Sequence, residues 1–457
     1  MRFIVRGEKP LKGEVTVSGS KNAALPIIAA TLLTSEECVL KNVPDIQDIH
    51  SMLEIMKHVG STYTFSDNVL KIQTSTIKNT KIPLDLVKKM RASILLIGPM
   101  LARAGEVQIG FPGGCVLGKR PIDTHLDAFR ELGVSVREEG DDIFLESSRL
   151  KAGKVVLKEI SVTATENVLM LASAIRGETE IRLAAQEPHV LDLCHFLISA
   201  GVFMQGEGSH IMTVKGGNPI HGVEHRVISD YLEVGTMAIA AAGTCGDVVI
   251  HDVRIHDLDA LWQKMREAGI ILDFMDQSVR VRGVKRIEPI AKLDTGIFPK
   301  FPTDLQAPFM VMMTQAHGVS KVFETLFEGR LNYLFELEKM GARFEFLNPH
   351  QAIIIGPTPL RGTPIASCDI RAGAGMIVAS LMAKGTTEIS SINYIDRGYE
   401  RLDEKLRNLG ANIVRCQTEE DLNQVKRTLT SVRVPTSGDL EPSVPITFGD
   451  ERRLCHG

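Results

Sequence analysis

Residues 126–136 read LDAFRELGVSV, a helix-patterned stretch, one glycine, then an alternating run. Leu126, Phe129 and Leu132 recur at near-helical spacing, Gly133 offers the left-handed position that ends a helix, and Val134 and Val136 alternate as a half-buried strand does. The same junction returns at Gly60, Gly201, Gly269, Gly341 and Gly410. A second series, at Gly105, Gly177, Gly246, Gly318 and Gly385 with Ser35 in the first place, runs in step with it. Within both series the spacing is 67 to 73 residues, which predicts six copies of one α/β unit. Each unit is long enough to close a compact layer. Three plus three in two globular domains therefore suits a chain of 457 residues better than a stacked solenoid, which stays open as the alternative.

Composition narrows the class. A 44% hydrophobic, 24% charged chain is ordinary for a globular protein, and a net charge of −4 argues against nucleic acid or an anionic membrane as partner. The opening MRFIVRGEKP alternates like a strand and lacks a signal-peptide core, and the longest apolar runs fall short of a membrane span. Seven scattered cysteines without a Cys-x-x-Cys pair point to reduced thiols and a cytoplasmic protein. The pairs His221/His225 and His251/His256 lack further ligands, and neither a P-loop nor a Gly-x-Gly-x-x-Gly follows a strand, so no metal, ATP or NAD is expected.

Several stretches carry chemistry. Residues 111–121, FPGGCVLGKRP, set Cys115 in a glycine-rich loop with Lys119 and Arg120 behind it. Nearby cations favour a thiolate, although a free cysteine is more often a small buried hydrophobe. Residues 1–20 read as two strands around the turn from Gly7 to Gly13. Ser20 then suits an N-cap for a helix over 21–33, whose start, with Lys21 and Asn22, would be an anion site. Apolar helices are expected over 91–101, beginning with Arg91, after Ser161, and over 230–242. The proline-bounded loop 298–306 delivers Asp304 to a helix start, where an N-cap and a catalytic role weigh evenly. After residue 417 the repeat glycines stop; a short helix over 419–429 and then a mobile tail are expected.

The six units, SGSKNAALP at 18–26, the Pro-Gly-Gly-Cys loop, FPTDLQA at 301–307, DIRA from Asp369 and IDRGYER at 395–401 together resemble the enolpyruvyl transferase family, and within it the UDP-N-acetylglucosamine 1-carboxyvinyltransferases. The resemblance spans about residues 1–417 and rests on several motifs in order. It implies an α/β fold, a two-domain inside-out α/β barrel of six βαβαββ units. One domain would comprise residues 1–20 plus 230–417 and the other 21–229, which carries the Cys115 loop, with 418–457 as the tail. It implies phosphoenolpyruvate and UDP-N-acetylglucosamine as substrates, no cofactor, Cys115 as proton donor and fosfomycin target, and Asp304 as a candidate base. Lys21, Arg120 and Arg397, with Arg371 and Arg330, match positions that hold phosphoenolpyruvate. Asn22, Arg91, Arg120, Pro121, Ile122, Asp123, Thr124, Asp304 and Leu326 match the UDP-sugar site, with Ser161 and Val162 near the uridine or diphosphate and Asp369 in a further motif. Ser20, Thr124, Gly329 and Ala372-Gly373-Ala374 depart from the common family pattern without removing a charge. A shikimate 3-phosphate enzyme and a silent UDP-sugar-binding paralogue stand as the alternatives.

Overall fold

The structure, a computed structural model, describes residues 1–113 and 122–423. Residues Met1–Arg415 form one compact unit, and Cys416–Gly457 form a second. In the second, 419–423 are helical, with Asp421 accepting the N–H groups of Gln417 and Thr418; the rest of the expected helix to residue 429 lies outside the described residues.

Among the described residues, six four-stranded sheets share one pattern. In the sheet of Lys81–Ile82, Glu106–Gly110, Asp142–Glu146 and Ser135–Glu139, a short edge strand runs parallel to the second, and the remaining pairings are antiparallel. Every glycine of the first series has positive φ, from 83° to 126°, where a side chain would be strained, so the junction that defines the unit cannot drift. In the second series Gly105, Gly177, Gly318 and Gly385 do the same, and before Gly246 the turn falls on Cys245 at φ 51°.

The N-terminal strands depart from a simple hairpin. Arg2–Arg6 pairs antiparallel with Thr386–Ser390, whereas Lys12–Thr16 pairs parallel with Asp247–His251, so they lie in different sheets. Likewise Glu224–Arg226 supplies the parallel edge beside Cys38–Lys41. These sheets are completed by strands from distant sequence, which ties the ends of each set together.

Two hydrophobic cores result. One is built from residues 23–227, the other from residues 3–17 together with 231–413. Each surrounds three inner helices: Lys21–Ala30, Ile97–Ala104 and Val162–Ala174 in the former, Tyr231–Gly243, Gln306–Met313 and Ile370–Met382 in the latter. These helices are apolar nearly all round, as elements with no solvent face must be. The sheets lie outside them. The chain passes between the cores twice, side by side: Ser20 N–H donates to Ile228 O at 2.7 Å and Asp230 N–H to Ser18 O at 2.8 Å. A side chain at Gly19 would meet the Asn42 carbonyl at 1.7 Å, so that crossing requires glycine.

Candidate functional site

The repeat brings the starts of all six inner helical segments to one cleft of about 590 Å3, lined by residues of both cores. Lys21 and Asn22 open one helix behind the cap Ser20, whose hydroxyl accepts from Ala23 N–H. Arg91 begins a 3-10 turn, Arg91–Leu96, that runs into Ile97–Ala104. Ser161 caps Val162–Ala174, and Asp230 caps the helix that starts at Tyr231. Asp304 sits in the turn Thr303–Leu305, and Asp369 caps Ile370–Met382 by accepting from Arg371 N–H at 2.8 Å and Ala372 N–H at 2.9 Å. Free N–H groups and aligned dipoles at such ends favour an anion.

Two carboxylates organise the cations. Asp304 bonds Arg330 Nη2 at 2.8 Å through Oδ1 and Arg371 Nε at 3.0 Å through Oδ2. Its side chain makes no cap, so the N-cap reading is corrected: the helix Gln306–Met313 starts without a side-chain cap because two guanidinium groups claim the carboxylate. Burial pushes the Asp304 carboxyl up, but Arg330, Arg371 and Lys21 outweigh it and hold it well below the usual range. Asp48, the second carboxylate, bonds Arg397 Nε at 2.8 Å and Lys21 Nζ at 3.4 Å. Burial lowers the pKa of Lys21, and Asp48 opposes that shift.

The wall of the cleft also holds polar atoms with no protein partner among the described residues: Glu166 Oε1, Glu187 Oε2 and His189 Nδ1. Burial raises Glu166, with Glu187 adding to it, and burial likewise raises Glu187; burial lowers His189 to about 4. Such a wall suits a polar ligand that supplies the missing hydrogen bonds. Next to Glu166 in the same helix, Asn167 receives Gly98 N–H at 2.9 Å and donates to Ile94 O at 3.0 Å and to His125 Nδ1 at 3.2 Å.

That last bond requires an unprotonated Nδ1. Burial, with Arg91 adding to it, lowers His125 to about 3 from a model-peptide value of 6.5. A depressed histidine stabilises the fold fully above pH 6.5 and loses that contribution as pH falls toward the folded value, so dropping to pH 5 costs about 2 kcal/mol. In urea titrations the stability gap between wild type and His125→Gln should narrow by about that amount between pH 7 and pH 5. Glu166 and Glu187 titrate with the opposite sign but are common to both proteins. A gap independent of pH would show that His125 is not held neutral.

The sequence signature of the EPSP synthase (3-phosphoshikimate 1-carboxyvinyltransferase) family matches residues 5–440. That breadth fixes the enolpyruvyl transferase class without choosing an acceptor. The chain is 41% identical over 423 residues to a UDP-N-acetylglucosamine 1-carboxyvinyltransferase of Methylacidiphilum infernorum, covering 92% of this chain and 99% of that protein. It is also 41% identical over 415 residues to the enzyme of that name from Magnetococcus marinus, covering 91% and 99%. The chain belongs to the UDP-N-acetylglucosamine 1-carboxyvinyltransferase family. Solved structures agree on the fold. The enolpyruvyl transferase NikO of Streptomyces tendae matches with a TM-score of 0.82 at 22% identity, covering 90% of this chain and 98% of that one. EPSP synthase of Acinetobacter baumannii gives 0.70 at 18% identity, covering 91% and 99%. The expected enolpyruvyl transferase fold is thus what the protein has.

For a carboxyvinyltransferase the cleft gathers Lys21, Asn22, Arg91, Ser161, Val162, Asp304, Leu326, Arg330, Asp369, Arg371 and Arg397. Ile122, Asp123 and Thr124 do not line it. Ile122 is buried, Asp123 opens the helix Asp123–Glu131 at the surface, and the Thr124 hydroxyl donates at 3.3 Å to Glu159, which does line the cleft. Cys115, Arg120 and Pro121 lie outside the described residues. Sequence reasoning missed Asp48, Glu166, Glu187 and His189. Only Glu166, the lone charged residue in its helix, gave a signal that could have been used.

Proposed function

We propose that the protein transfers the enolpyruvyl group of phosphoenolpyruvate to the 3′-hydroxyl of UDP-N-acetylglucosamine with release of phosphate, the first committed step of peptidoglycan synthesis. The observation that carries this for the site is the convergence of Lys21, Arg330, Arg371 and Arg397 on helix starts in one cleft, in a chain of this family. Phosphoenolpyruvate brings a phosphate and a carboxylate, and guanidinium groups grip both through paired hydrogen bonds. Lys21, Arg120 and Arg397, with Arg371 and Arg330, take that substrate. Asn22, Arg91, Ser161, Val162 and Leu326, with Arg120 and Pro121, take the UDP-sugar, and Asp369 holds Arg371 at its helix start.

The reaction is an addition followed by an elimination. The acceptor oxygen bonds to C-2 as its proton passes to Asp304, the candidate base, and C-3 receives a proton, for which Cys115 is the donor. The bond from C-2 to the phosphate oxygen then breaks and C-3 gives up a proton, so the double bond is restored. Asp304 receives the acceptor hydroxyl. Paired to two guanidinium groups its proton affinity is low, so its part is to orient that hydroxyl until those pairs loosen. Residues 1–20 with 230–417, and 21–229, act as two domains that close on the substrates, expelling water and bringing the Cys115 loop to Asp304.

None of the helices among the described residues is long and apolar enough to cross a membrane, and we place the reaction in the cytoplasm, where both substrates are water-soluble anions. Purified protein given both substrates should release phosphate continuously. Omitting UDP-N-acetylglucosamine should stop it, and release that is absent or independent of the sugar would overturn the reading.

A further inference from the structure

Asp48 is 4% exposed, yet it meets two cations that belong to different cores. It lies in the first turn of Gln47–Val59 and receives Lys21 from the neighbouring inner helix of its own core. Arg397, which follows the turn Asn393–Asp396 of the other core, reaches it across 349 residues of sequence. A second bond holds the same segment: Asn68 Nδ2 donates to Glu400 at 2.9 Å. The bonding atoms are specific. Arg397 uses Nε, the side of the guanidinium that points back along its own chain, and Lys21 uses one of three ammonium donors.

We propose that Asp48 is a positioning residue for the phosphoenolpyruvate site, fixing Lys21 and Arg397 against each other across the two cores so that both meet one ligand. This rests on the transferase reading above. Two cations at a fixed separation match the phosphate and carboxylate of one small molecule, and their repulsion makes that separation costly without a carboxylate between them. Burial, Arg371 and Arg397 all draw the Lys21 ammonium toward its neutral form; Asp48 and Asp304 oppose them.

The test is Asp48→Asn, which keeps the shape but can accept from only one of the two cations. Its KM for phosphoenolpyruvate should rise by about ten- to hundred-fold, the range expected for losing a hydrogen bond to a charged group, with the KM for UDP-N-acetylglucosamine within about two-fold of wild type. Asp48→Glu should recover part of the loss, because it restores the charge. If D48N does not fold, D48E alone carries the comparison: a raised KM for phosphoenolpyruvate alone supports the proposal, and equal rises for both substrates overturn it. A folded D48N with both constants near wild type also overturns it. Wild-type protein that releases no phosphate would instead count against the transferase reading. Calorimetry with phosphoenolpyruvate then tests Asp48 by itself, weaker binding by D48N supporting the proposal and equal binding overturning it.

Discussion

Replacing Asp304 with alanine is expected to slow phosphate release by about 10²- to 10⁴-fold and to lower the melting temperature by about 10 °C. The two effects have different causes. Arg330 and Arg371 are 6% and 4% exposed at their side chains, and each loses its carboxylate partner in the variant. Leaving buried charges unpaired costs about 3 kcal/mol or more, which for a domain of this size is several degrees. The rate falls because nothing then orients the acceptor hydroxyl and takes up its proton. Asp304→Asn separates these. It keeps the volume and one acceptor, so less than half of the thermal loss should remain while most of the rate loss persists. Turnover measured beside thermal unfolding decides; an asparagine variant with normal turnover would show that Asp304 serves only to pair the arginines.

Replacing Cys115 with alanine should reduce turnover by a similar factor, about 10²- to 10⁴-fold, the range for a lost general acid. C-3 of phosphoenolpyruvate is a carbon and takes up a proton slowly, and alanine has none to give. Fosfomycin, an epoxide that mimics phosphoenolpyruvate, should alkylate the wild-type peptide holding Cys115 in the presence of UDP-N-acetylglucosamine, as read by mass spectrometry. An unmodified peptide together with normal turnover in the alanine variant would remove Cys115 from the chemistry.

The repeat was legible because its marker is conformational. Gly133 and its counterparts sit at positive φ, and few other residues tolerate that, so the period survives in the sequence even where the side chains around it differ. Strand exchange was not legible. Arg2–Arg6 and Thr386–Ser390 pair across almost the whole chain, and edge strands such as Lys81–Ile82 are too short to show alternation. The cations of the cleft could be named because they sit in motifs. Asp48 could not, since an acid in the first turn of a helix is already explained by the helix dipole. Its pairing with Arg397 becomes visible only when two cores face each other. Asp304 shows the reverse case. Its local pattern allowed a cap, and tertiary pairing with Arg330 and Arg371 took the carboxylate instead.

Supplying phosphoenolpyruvate with equal amounts of UDP-N-acetylglucosamine and shikimate 3-phosphate tests the central claim most directly, the products being identified by mass spectrometry. The enolpyruvyl ether of UDP-N-acetylglucosamine should accumulate together with phosphate, and shikimate 3-phosphate should remain unchanged. An enolpyruvyl group found on shikimate 3-phosphate, or on neither acceptor, would contradict the account.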